Sequence, residues 1–141
     1  MQPRIVLDTN VLVSALRSRT GASFRLLSLI DSGRFSLCVS VPLVLEYEAA
    51  TKRHAKTIGL TYTDIDNILD YLCFVAEHHR VYYLWRPTLR DPNDDMVLEL
   101  AVSCRAEAIV TYNRDDFKGA EQFGIRILSP KDFLNQIGEL S

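Results

Sequence analysis

The chain is short of cysteine, and what it has is unpaired in pattern. It holds three, Cys38, Cys73 and Cys104, an odd number with no C-x-x-C spacing. A disulfide scaffold is therefore not expected, and the thiols read as reduced residues among apolar neighbours. No helper histidine stands near any of them in sequence, which argues against a thiol nucleophile. No apolar run reaches the ~18 residues that cross a bilayer. No secretory leader is expected, because Met1 to Arg4 lead straight into a strand-like segment. Basic excess is missing too: the net charge is -2, so the chain does not advertise nucleic-acid binding by bulk charge. Near-neutrality still leaves room for a local basic rim beside an acidic pocket. Internal repeats and low-complexity stretches are absent. What is present is a globular composition, 48% apolar over 141 residues, enough for one core and one domain spanning 1–141.

Strand and helix patterns alternate along the chain. Ile5-Val6-Leu7 suits a buried central strand, with Asn10 a natural cap for a helix from Val11 to Leu16. Phe24, Leu26, Leu27 and Ile30 form a helical stripe, with Gly33 as its stop. Phe35, Leu37, Val39 and Val41 alternate with Ser36, Cys38 and Ser40, which is strand periodicity, and Pro42 opens a helix to about Lys56. Thr63 and Asp66 resemble a capping box before an amphipathic helix through Ala76. Val81 to Trp85 reads as a strand, and Trp85 to Pro92 as a loop. Asp91-Pro92-Asn93-Asp94 starts a further helix. Ala108–Thr111 and Ile125–Leu128 read as strands, and Ser129 caps a last helix. This order predicts an α/β fold with a mainly parallel sheet covered on both faces.

In open α/β sheets, sites form at the carboxyl ends of strands. Asp8 ends the first strand, and Asn113, Asp115 and Asp116 follow Ala108–Thr111. The two groups converge if these strands are neighbours. Asp95 lies one turn into the helix that leads to the second of them, and Glu46 sits on the helix after Phe35–Val41. Carboxylates gathered this way repel one another and resist ionisation, a conflict that a divalent cation resolves. Oxygen donors suit Mg²⁺ or Mn²⁺; histidine and cysteine at zinc-ligand spacing are missing.

Ile5-Val6-Leu7-Asp8-Thr9-Asn10 resembles the opening signature of PIN domains, as in VapC-type toxins. Glu46 matches that family's acid on the helix after the second strand. Arg90-Asp91-Pro92-Asn93-Asp94-Asp95, followed by Leu98-Glu99-Leu100-Ala101, is similar to the central motif of one PIN subgroup, and Val110 to Phe117 to the closing motif. The resemblance implies a three-layer α/β/α sandwich and a metal-dependent endoribonuclease, the toxin of a toxin–antitoxin pair. It implies ligation of Mg²⁺ or Mn²⁺ by Asp8, Glu46, Asp95 and Asp116, with Asp94 and Asn113 as further candidates. It also implies RNA as substrate, an antitoxin protein as partner, a homodimer and a cytoplasmic setting. Asn113 stands where the family often has Asp, a neutral oxygen in place of a charged one. That departure keeps open a non-catalytic RNA- or protein-binding module. Haloacid-dehalogenase-like phosphatases also place an Asp after a buried strand, but they want a second acid where Asn10 stands.

Each residue also has a plainer role. Asp8 could be a turn residue, and Glu46 could pair with Arg53. Asp91 suits an N-cap, and Asp94 lies between dipole partner and ligand. Asp115 reads as solvated. Thr9 and Thr111 are positioned to hydrogen-bond a ligand or phosphate. Arg17, Arg19, Lys52, Arg53, Lys56, Arg86, Arg90 and Arg114 are candidates for phosphate contact, with Arg17 and Arg19 nearest the Asp8 motif. Solvation is the commoner fate of any one of them. His54, His78 and His79 read as surface residues. Tyr82, Tyr83 and Trp85 suit a core or dimer interface better than base stacking.

Overall fold

Ile5, Val6 and Leu7 are each buried almost completely, as the middle strand of a covered sheet requires. In the computed structural model, which describes residues 2–81 and 92–139, they belong to β1 (Arg4–Leu7). β1 pairs in parallel with β2 (Ser36–Val39) on one side and β4 (Ala108–Val110) on the other. β3 (Glu77–His78) and β5 (Arg126–Leu128) extend the two flanks, giving five parallel strands in the order β3-β2-β1-β4-β5. The expected α/β architecture is what forms, with helices α1 (Thr9–Arg17), α2 (Ala22–Ser28), α3 (Val41–Arg53), α4 (Ala55–Ile58), α5 (Tyr62–Val75), α6 (Pro92–Ser103) and α7 (Pro130–Gln136). Two 3₁₀ turns, Arg114–Phe117 and Ala120–Phe123, fill the space between β4 and β5.

The strand order reverses at β1. The chain leaves β1 towards β2 and β3, then returns to β4 on the other side. A crevice opens at such a switch point, outside the carboxyl ends of the strands. It lies between Asp8 and the residues after Val110.

Several local features differ from the sequence expectation. The first helix is capped by Asp8, whose side chain accepts from Thr9 N, so it starts before Asn10. The capping box of α5 is Thr61 with Asp64, two residues before the expected pair, with both reciprocal bonds near 3.1 Å. Strand β2 is buried on both faces: Cys38 and Ser40 are as enclosed as Leu37, while Val41 is exposed. The alternation of apolar and small polar residues there marks size, not exposure. The proline-led helix is broken at His54 into α3 and α4. Residues 82–91, which include the expected strand through Trp85, the loop after it, Arg86, Arg90 and Asp91, lie outside the described residues. Among the described residues no helix is long and apolar enough to cross a membrane.

Phe35 and Phe133 meet edge to face, with ring centroids 5.5 Å apart, and anchor α7 against the start of β2. The rest of the core is mainly aliphatic, from β1, β2, β4 and helices on both faces, with Tyr47 and Phe117 buried among them. It holds the strand ends rigid beneath the crevice.

Candidate functional site

The crevice is a cleft of about 390 Å³ lined by Asp8, Thr9, Asn10, Val13, Ser14, Arg17, Glu46, Ala50, Arg53, His54, Asp94, Asn113 and Asp116. Acids from four separate parts of the chain face it. Asp8 ends β1, Glu46 lies on α3, Asp94 stands in the first turn of α6, and Asp116 sits in the 3₁₀ turn after β4. The inferred neighbouring of β1 and β4 is present, with Leu7 opposite Val110.

Asp8 is only 8% exposed and is fixed by both carboxylate oxygens. Thr9 N donates to Oδ1 at 2.8 Å, and the Thr111 hydroxyl donates to Oδ2 at 2.7 Å. Thr111 Oγ1 in turn accepts from Asn113 N at 2.9 Å. A short relay thus runs from the closing segment to the carboxylate of the opening one.

Tyr47 supports the same spot from the opposite strand neighbour. Its side chain is fully buried, and its hydroxyl donates to the Leu7 carbonyl at 2.6 Å. Burial pushes its phenol well above the ordinary value, with the nearby Asp8 charge adding to the effect. Tyr47 therefore stays neutral and donating, and it ties α3 to the end of β1. Glu46, the next residue back, is held at the cleft by that tie. Sequence reasoning misses this role, because along the chain Tyr47 is one more apolar neighbour of Glu46. A signal for it does exist: a tyrosine on a buried stripe with Leu43, Ala50 and Thr51 needs a partner for its hydroxyl.

The two adjacent acids of α6 point differently. Asp94 lines the cleft with Asp8, Glu46 and Asp116. Asp95 is buried to 8% exposure and is not among the lining residues. A helix turns by about 100° per residue, so neighbours cannot share a direction. Asn113 lines this cleft and, with Asp116, a second one of about 500 Å³ that also takes in Thr111, Tyr112, Arg114, Asp115 and Ser129.

Of the candidate phosphate contacts, Thr9, Arg17 and Arg53 reach the main cleft. Arg19 is exposed and outside its lining, Thr111 is fully buried on Asp8, and Arg114 is paired with Asp132. Lys52 is taken up by Glu48 and Asp66 at 3.0 and 2.8 Å. Glu46 makes no ion pair with Arg53 within 4.0 Å among the described residues. His54, expected at the surface, borders the cleft at the α3–α4 break. Asn10, where a phosphatase would place a second acid, lines the cleft and accepts from Tyr112 N at 3.5 Å.

The arrangement is an acidic floor with a rim of Arg17 and Arg53. Its donors are oxygens, apart from His54, which suits Mg²⁺ or Mn²⁺. The acids do not crowd: among the described residues, no three of them bring oxygens within 4.8 Å of one another. Mg²⁺ keeps several waters and takes one or two carboxylates directly, so a dispersed set fits it.

A family model for the PIN domain matches residues 4–115. Among solved structures, a chain from the crystal structure of VapBC2 from Rickettsia felis, bound to a DNA fragment from their promoter, is similar in fold at a TM-score of 0.58. The sequences are 16% identical, and the match covers 88% of this chain and 98% of that one. No curated protein matches the sequence.

Proposed function

Because this chain belongs to the PIN-domain family, we propose that it is an endoribonuclease whose acidic cleft works with bound Mg²⁺ or Mn²⁺. One observation carries the reading: Asp8, Glu46, Asp94 and Asp116, distant in sequence, line one cleft at the switch point of the sheet. Asp94, which lines the cleft, takes the ligand role in this reading ahead of Asp95, which does not. When bound, the ion supplies positive charge at the phosphodiester and a water acidic enough to attack it.

The chain's own groups do the rest. Asp8, pinned by Thr9 N and Thr111, presents a carboxylate that needs no rearrangement on binding. Arg17 and Arg53 on the rim hold backbone phosphates of a single strand, and the Thr9 hydroxyl adds a donor. Asn113 offers a neutral oxygen beside Asp116, so the closing side of the cleft binds a cation less strongly than two carboxylates would. No side chain forms a covalent intermediate in this scheme.

The fold likeness to a chain of VapBC2, beside the PIN-domain match, supports a VapC-like toxin partnered by an antitoxin protein. A basic side chain of such a partner would fill the acidic floor. Tyr71 and Phe74 stand exposed on α5, and Val41 and Leu45 on α3, which supports a homodimer built on these helices.

Cleavage of a labelled single-stranded RNA pool tests the proposal, with Mg²⁺, Mn²⁺ or EDTA and with wild type against Asp8→Asn. That substitution keeps the helix cap and removes the charge. Metal-dependent cutting that leaves 5′-phosphate ends, lost in the variant, is expected. Cutting that survives Asp8→Asn would overturn the site. No cutting by folded, metal-loaded protein would favour a binding module, the reading that Asn113 supports.

A further inference from the structure

At the other flank of the sheet, three donors of mixed type converge. Cys38 on β2 pairs in register with Glu77 on β3. His79 lies two residues beyond Glu77 and so on the same side of the strand. One ligand atom from each lies within 4.8 Å of the other two, and among the described residues these three alone form such a group. The Cys104 thiol, just past the end of α6, donates to the Ala101 carbonyl at 3.7 Å and stands outside this group.

We propose that Cys38, Glu77 and His79, with a water as fourth ligand, form a zinc site at the β2–β3 edge of the sheet. Thiolate and imidazole select Zn²⁺ over Mg²⁺, so this site and the acidic cleft would not compete for one ion. Bonds of about 2.0–2.3 Å hold tetrahedral ligands roughly 3.3–3.8 Å apart, so these three donors, within 4.8 Å of one another, need to close by at most about 1.5 Å. Cys38 is fully buried, whereas Glu77 and His79 are partly exposed and leave a path for the ion from solvent.

The groups now touching these donors can yield. Glu77 accepts from Arg4 Nε at 3.0 Å and lies 3.4 Å from His79 Nε2. Arg4 is largely exposed and gives up one surface ion pair, of small value, if it turns away. His78 is not a competing ligand, since its Nε2 is engaged with the Cys73 carbonyl at 2.6 Å. Binding would release the proton of the Cys38 thiol to solvent and leave His79 neutral. Sequence spacing hides the set, because its members come from two strands far apart along the chain.

Titration of the reduced protein with Co²⁺, a spectroscopic substitute for Zn²⁺, reads the site directly. One equivalent is expected to give a thiolate-to-cobalt charge-transfer band with tetrahedral visible bands, both displaced by Zn²⁺. Cys38→Ser should abolish the band, and Asp8→Asn should leave it unchanged. His79→Ala, at a partly exposed position, should weaken Co²⁺ binding at least 10-fold, comparable to or beyond the ~10–100-fold cost of losing a supporting residue. Zn²⁺ should also raise the Tm of wild type and not that of His79→Ala. The proposal is overturned if folded wild type gives no charge-transfer band, or if His79→Ala binds Co²⁺ as tightly as wild type. His79→Ala and Glu77→Gln decide the matter should Cys38→Ser not fold.

Discussion

The hydroxyl of Thr111 donates to Oδ2 of Asp8 at 2.7 Å, across a separation of 103 residues. Thr111 is fully buried and also accepts from Asn113 N, so one side chain orients the opening acid and the closing turn together. Thr111→Val keeps the shape and deletes the oxygen. It should leave two polar partners unsatisfied and cost about 1–3 kcal/mol, read by urea unfolding. RNA cleavage should fall about 10-fold or more as Asp8 loses its fixed geometry, a loss of ~1.4 kcal/mol in transition-state stabilisation. Thr111→Ser retains the hydroxyl and should keep most of the activity.

The two acids of α6 should separate in a paired experiment. Asp94→Asn is expected to lower cleavage at least 100-fold at fixed Mg²⁺, about 2.7 kcal/mol, with little change in stability. Asp95→Asn should do the reverse, because this carboxylate is buried and lies outside the cleft lining. Single-turnover rates and denaturation midpoints of both variants check this. Equal losses of activity would return Asp95 to the ligand set.

Asn113 borders both clefts and carries no charge. Asn113→Asp adds a carboxylate beside Asp116 and should lower the Mn²⁺ concentration at half-maximal cleavage several-fold. Isothermal titration with Mn²⁺ would show the same direction without relying on activity. An unchanged affinity would mean that the closing side of the cleft does not take part in holding the ion.

Tyr47 gives a pH signature. Its phenol is raised above the ordinary value of 10.0 chiefly by burial, with Asp8 adding to it. A folded pKa above the unfolded one means that the stabilising effect is complete below about pH 10. It is lost as pH climbs towards the folded value, because the unfolded chain ionises first. Tyr47→Phe removes that titration and should flatten part of the alkaline loss of stability. At pH 7 it should cost about 1 kcal/mol through the missing bond to Leu7. Unfolding free energies between pH 7 and 11 for both proteins provide the comparison.

The central strand and its terminal acid were legible because a short, wholly apolar run that stops at Asp fits little besides a buried strand with an acid at its end. The parallel order followed from the alternation of strands and helices. The facing of α6 was not legible, because choosing between Asp94 and Asp95 needs the helix phase to within one residue, finer than caps and stripes can set. β3 escaped because two residues are too few to show a period. The Thr111–Asp8 bond and the Tyr47–Leu7 bond were equally out of reach. Both depend on which strands abut, and nothing in local composition encodes that adjacency.

Order of synthesis gives the switch point a further meaning. A ribosome makes Asp8 early, yet one of the two strands that flank β1, the hydroxyl that orients Asp8 and the acid of the closing turn all come after residue 107. A nascent chain that stops short of that point has an aspartate but no cleft. An enzyme of this plan would stay harmless to the messenger and ribosome producing it, and its activity would begin only when the last part of the sheet had left the exit tunnel.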